Sequence, residues 1–146
     1  MASPLSALAD GDAVLGVWQT LPEKHGYAHI EIERDGEELV GSIVWISEPN
    51  FPEDDKAGMA GEPKIDRNNP DPELRDRPLL GLQIIDSFEY VGNDQWKHGR
   101  VYDPARGKTY RCQMKLNEDG TLKFRGYVGV SLLGRNTTWT RVSPAP

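Results

Sequence analysis

Apolar and polar residues alternate in short runs along most of this chain, and no stretch holds a helical period long enough to make an amphipathic helix. Tyr27 to Arg34 sets Ala28, Ile30 and Ile32 on one face against His29, Glu31 and Glu33 on the other, the period-two pattern of a half-buried strand. Val14 to Thr20 precedes it as a short β-rich run, and Arg34-Asp35-Gly36-Glu37 supplies a hairpin turn into a strand from Glu38 to Ile46. After a long interruption the pattern resumes over Leu79 to Phe88, Gln95 to Tyr102, Lys108 to Leu116, the run carrying Leu122, Phe124, Gly126 and Val128, and Arg135 to Val142. Turns are predicted at Val91-Gly92-Asn93-Asp94, Asp103-Pro104-Ala105-Arg106-Gly107 and Asn117-Glu118-Asp119-Gly120. About eight sequential strands joined mostly by short turns predict an all-β chain closing into an antiparallel up-and-down β-barrel, with a β-sandwich as the competing architecture.

The interruption is informative in itself. Lys64 to Leu82 is crowded with prolines and charges, so it can be neither a central strand nor a regular helix. Together with Ser47 to Ile65 it makes a charged crossover of roughly thirty residues, well beyond ordinary loop length, and is predicted to be a lid or binding loop. Glu48 to Pro78 is expected to be the most mobile or ligand-responsive segment, because Phe51 and Met59 are almost its only core-type residues. Asp66, Asn68, Asp71 and Glu73 bring oxygens together as a calcium loop would, but Pro70 stands at a ligand position and no glycine follows. These side chains are read instead as capping turns and pairing with Arg67, Arg75 and Arg77.

Length and charge narrow the function. The 146 residues fit one barrel over residues 10–146. With 23 acidic against 17 basic residues the formal charge is −6, which argues against nucleic acid as a partner. The single cysteine, Cys112, excludes an intrachain disulfide and a multi-cysteine metal site; on its strand with Tyr110 and Met114 it is read as a packing residue. His25, His29 and His98 are too dispersed to propose a metal site, and no cofactor is implied. Ser131, a histidine and an acid could be drawn together on paper, but no nucleophile elbow or Cys–His context points to an enzyme. Ala7-Leu8-Ala9 matches the small-x-small end of a secretory signal, so residues 1–9 are read as the stub of an export signal or else a tail. No run approaches the roughly 20 apolar residues of a membrane span.

The candidate ligand site lies on the strands. Trp96, His98, Arg100 and Tyr102 share one face by alternation, opposite Lys97, Gly99 and Val101, and the aromatic face is read as the inward one. Tyr110, Met114 and Phe124 complete the predicted lining. Arg100-Val101-Tyr102 resembles the carboxylate clamp of fatty-acid-binding barrels, a guanidinium gripping two oxygens with a phenol adding a third hydrogen bond. The competing reading makes Arg100 an exposed strand residue lying over Trp96. Arg125-Gly126-Tyr127 repeats the spacing, but its arginine is expected to point outward.

Gly16-Val17-Trp18 and Thr138-Trp139-Thr140-Arg141 resemble the calycin signature, which implies that Trp18 packs against Arg141 at the closed end of a barrel. A broader resemblance rests on Asn68-Asn69-Pro70-Asp71-Pro72 with Arg77-Pro78-Leu79-Leu80-Gly81-Leu82, on Tyr102-Asp103-Pro104 with Gly107-Lys108-Thr109-Tyr110, and on Arg125 to Arg135 with Trp139-Thr140-Arg141. These motifs resemble the bacterial family called domain of unknown function 2147, which implies a lipocalin-like fold and export. Many members carry cysteines before the Pro-Leu-Leu-Gly segment; this chain has none there, so no redox or metal role carries over. The expectation is an exported, periplasmic or secreted, lipocalin-like protein binding a small apolar or amphipathic molecule in its barrel. The alternative is an interaction or structural protein whose barrel is filled by its own side chains and whose crossover docks a partner or a second copy, as in a homodimer.

Overall fold

The structure, a computed structural model, describes residues 11–24, 26–126 and 136–144. The Ala7-Leu8-Ala9 pattern, His25, Ser131 and the motif residues from Tyr127 to Arg135 lie outside them. Eight strands are β1 (Gly16–Gln19), β2 (Ala28–Asp35), β3 (Glu38–Ile46), β4 (Gln83–Gly92), β5 (Gln95–Asp103), β6 (Lys108–Leu116), β7 (Leu122–Gly126) and β8 (Asn136–Pro144). Each pairs antiparallel with the next and β8 pairs back with β1, so the sheet closes into a barrel rather than a sandwich. A 3-10 turn at Asp12–Val14 leads into β1. That turn and the β2–β3, β4–β5 and β6–β7 hairpins share one end of the barrel. Residues 20–24 and 26–27, the crossover and the β5–β6 turn share the other.

Alternation places the core correctly on most strands. Ile30 and Ile32 on β2, Tyr110, Cys112 and Met114 on β6, and Leu122 and Phe124 on β7 are all buried, while Arg125 is exposed. The fourth strand is displaced from its predicted bounds. Leu79 to Leu82 turn instead, with the Leu82 amide donating to the Leu79 carbonyl at 3.0 Å and Gly81 at a φ of 90°. At the far end Val91 and Gly92 stay in the strand, and Asn93 and Asp94, with φ of 53° and 56°, make the turn alone. Positive φ at both central residues matches the twist of the flanking strands.

The middle of the barrel is filled. Phe88 and Phe124 meet edge to face at 6.2 Å, and Phe124 packs on Trp139 at 4.2 Å. The Phe88 ring lies against β5 where Gly99 has no side chain; a Cβ there would run into the ring. Burial pushes the Cys112 thiol up to about 11. The native state therefore favours the protonated thiol. Its contribution to stability is intact below the unfolded thiol's value of about 8.5 and is lost as pH rises through 11. Iodoacetamide at pH 8 should leave the folded protein unmodified and alkylate Cys112 only on unfolding; rapid alkylation of the native protein would contradict its burial.

Candidate functional site

The end of the barrel that carries the 3-10 turn is locked as the signature residues imply. Trp18 is fully buried and its indole Nε1 donates to the Val14 carbonyl at 2.8 Å. The Arg141 guanidinium lies 4.2 Å from the Trp18 ring centroid, a cation–π distance. The same guanidinium donates to the carbonyls of Leu15 at 2.8 Å and Ala13 at 2.6 Å. One planar fork thus ties β8 to the 3-10 turn, and Gly16 and Trp139 are buried beside it. Burial pulls the Arg141 pKa below its usual value.

The predicted lining divides in two. Trp96, Tyr110, Met114 and Phe124 are buried inward, but they pack on one another and on Phe88 as core. His98 and Arg100 do not join them. The reason is a bulge. Trp96 pairs with Met114, yet Gly99 pairs with Cys112, so β5 carries one residue more than β6 between these pairs. His98 sits at the bulge with a φ of 66° and Ser87 on β4 shows a φ of 68°. An extra residue reverses every side chain beyond it. Gly99 and Val101 therefore face in, and Arg100 and Tyr102 face out. The Arg100 side chain is 56% exposed and donates to Asp86 at 2.8 Å, so it neither grips a lumenal carboxylate nor lies over Trp96. His98 is exposed near Glu89.

Tyr102, turned outward, meets the crossover. Its hydroxyl donates to Asp66 Oδ1 at 2.6 Å, while Asp66 Oδ2 accepts from Asn69 at 2.8 Å and from Arg77 at 3.0 Å. Asp66 is fully buried, and the backbone repeats the link, its amide donating to the Arg77 carbonyl at 2.8 Å. Burial first, and then the Asp66 carboxylate, raise the Tyr102 pKa above its usual value. Asn68 reaches the carbonyls of Pro104 and Ala105 at 3.3 and 3.1 Å, and Gly107 packs so closely on the Asn68 carbonyl that no side chain would fit. Asp71 caps the short Pro72–Leu74 turn through the Glu73 amide at 3.0 Å. Arg75 donates to the Asn69 carbonyl at 2.7 Å rather than to a predicted side chain, and Arg67 departs from the predicted pairing as well. It forks onto Asp55 at 2.7 and 2.9 Å and lies over Phe51, holding the Asp55 carboxyl down at about 2. The motif residues thus strap the crossover to the outer face of β5 and to the β5–β6 turn. Among the described residues no three histidine, cysteine or carboxylate side chains cluster to hold a metal.

Open space lies at the locked end. A cleft of about 670 Å³ runs between the 3-10 turn, the β2–β3 hairpin and the ends of β4 and β5. The half-buried Tyr90 stands at its wall, Asp12, Arg34, Glu37, Glu38 and Glu89 form its rim, and Leu39, Phe88 and Trp96 lie buried beneath it. Arg34 is paired with Asp12, and Trp96 Nε1 donates to the Gly11 carbonyl at 3.2 Å. Alternation alone gave no sign of this cleft, because it is built by a hairpin tip folding against the N-terminal turn.

A family model described as an uncharacterized protein conserved in bacteria (DUF2147) matches residues 16–141. Among solved structures the chain is similar to protein HP1028 of the human pathogen Helicobacter pylori, which belongs to the lipocalin family. The likeness has a TM-score of 0.72 at 24% identity, covering 89% of this chain and 83% of that one, and it shows a lipocalin-like fold. No curated protein matches.

Proposed function

Since the chain belongs to the bacterial DUF2147 family, we propose that it is an exported lipocalin-like binding module whose small amphipathic ligand enters the cleft at the locked end of the barrel. The observation that carries this reading is the cleft itself: about 670 Å³, within the usual range for small-molecule sites, with the half-buried Tyr90 at its wall, a polar rim, and the buried Leu39, Phe88 and Trp96 beneath it. Four carboxylates against Arg34 at the rim favour a neutral or cationic head group over a carboxylate. This replaces the clamp suggested by Arg100 and Tyr102, whose side chains are engaged elsewhere. Export rests on Ala7-Leu8-Ala9.

Dodecylammonium and dodecanoate, each below its micelle concentration, would be titrated into labelled protein and followed by NMR. Saturable shifts of the Trp96 indole and of the Gly36, Leu39 and Tyr90 amides are expected, with the ammonium binding more tightly and Arg100→Met leaving both affinities unchanged. Tighter binding of dodecanoate, lost in Arg100→Met, would reinstate the clamp. Absence of saturable binding would remove the cleft reading. A second reading, a filled barrel that acts through a docked partner or second copy, is favoured by the Phe88 ring seated on Gly99 in mid-lumen.

A further inference from the structure

On the outside of the barrel, at the end away from the cleft, β3 exposes an aromatic side chain that alternation would bury. Leu39, Gly41 and Ile43 face inward, and an unbroken strand would send Trp45 in after them. The register breaks first. Ile30 pairs with Ile43, but His29 pairs with Trp45, so Val44 is an extra residue and the strand turns over at it. Trp45 emerges 43% exposed, forgoing burial that an indole normally gains.

Its surroundings are organised. The His29 ring lies 4.6 Å from Trp45 and the Tyr27 ring 5.7 Å, at tilts of 35° and 50°. Tyr27 is held by backbone and side-chain bonds to Ser47, at 2.9 and 2.8 Å. Across the sheet the same row continues from Trp45 through His29 and Gln19 to Thr140, each paired in register with the next. His29 Nε2 and Gln19 Oε1 are 3.2 Å apart. With the imidazole donating, the Gln19 amide N–H groups and His29 Nδ1 have no partner among the described residues. Glu31, paired with Val17 and Ser42, stands in the next row.

An aromatic facet followed by an amide, an imidazole and a hydroxyl matches the two-sided chemistry of a sugar ring. Axial C–H groups carry partial positive charge and lie flat on an indole face, while the ring's equatorial hydroxyls need both donors and acceptors at its edge. An aliphatic chain would leave the polar row unused, and an anionic sugar would face Glu31 and a chain of formal charge −6. We propose that the Tyr27–His29–Trp45 facet with Gln19 and Thr140 is a binding site for a neutral, β-linked oligosaccharide, separate from the end cleft.

Cellohexaose and the hexamer of N-acetylglucosamine would be titrated into the wild-type protein by calorimetry and NMR. Binding of at least one is expected, shifting the Trp45 indole and Gln19 amide signals. Trp45→Ala should weaken it by at least about tenfold, in keeping with the weight of a buried aromatic anchor, with the melting temperature kept. Gln19→Ala, which leaves the facet intact, should weaken it by a smaller factor of about three and serves alone if Trp45→Ala fails to fold. No binding of either sugar at about 10 mM, an affinity too weak for function, would overturn the proposal. So would equal affinity in both variants, or a wild-type dimer that Trp45→Ala converts to monomer, which would assign the facet to a second copy of the chain. These outcomes leave the cleft reading untouched, since none of the substituted residues lines it.

Discussion

Trp18→Ala should lower the unfolding free energy by about 3 to 5 kcal/mol, the range for truncating a buried tryptophan. The side chain is fully buried, so the deletion leaves a cavity under the 3-10 turn where β1 and β8 meet. It also removes the ring beneath the Arg141 guanidinium and the indole bond to Val14. A domain of this kind has a total stability of roughly 5 to 15 kcal/mol, so the variant should be marginal at room temperature. Denaturant unfolding of the wild type, Trp18→Ala and Arg141→Lys would check this. The lysine variant keeps the charge but offers no planar fork to the Leu15 and Ala13 carbonyls, and should fall between the other two. A loss under about 1 kcal/mol for Trp18→Ala would mean that the barrel end is closed by something other than this pair.

That contact is legible in the sequence because both partners sit in short motifs on the terminal strands. The strands themselves were legible because each buries one face of a two-residue period. What alternation does not record is an extra residue. At His98 on β5 the polar His98 and Arg100 interrupt the face of Trp96 and Tyr102, and at Val44 on β3 the run Ile43-Val44-Trp45-Ile46 breaks alternation, but neither break says which residue is extra, so the predicted inward set ran on through Arg100, and the exposure of Trp45 went unmarked. Gly99 was the available signal at the first site. A glycine inside a strand often marks a bulge or a close approach, and here it marks both, with Phe88 pressed against it. The end cleft left no trace in alternation because its walls come from segments far apart in sequence, Asp12, the β2–β3 hairpin and Tyr90. The crossover was recognisable as irregular from its prolines and charges. Which of its carboxylates would be buried was not, because that depends on Tyr102, which lies 36 residues from Asp66 along the chain.

Asp66→Ala carries the second large expected effect, about 3 kcal/mol. The carboxylate is fully buried and holds three side chains, so its removal strands the Tyr102 hydroxyl and the Asn69 amide and takes the counter-charge from Arg77. Breaking a buried pair by deleting one partner costs about 3 to 5 kcal/mol. The lower end applies here, because the Arg77 side chain is 41% exposed and can recover water. The loss should be local before it is global. The Asp66 and Leu79 amides, bonded to the Arg77 and Lys64 carbonyls, should exchange hydrogen faster as the strap lifts, while β6 amides keep their protection. Tyr102→Phe should cost less, and the double variant less than the sum, because both substitutions break one shared 2.6 Å bond. Strict additivity, or unchanged exchange from Lys64 to Leu82 in Asp66→Ala, would mean that the motif residues fold the crossover on itself without anchoring it to the barrel.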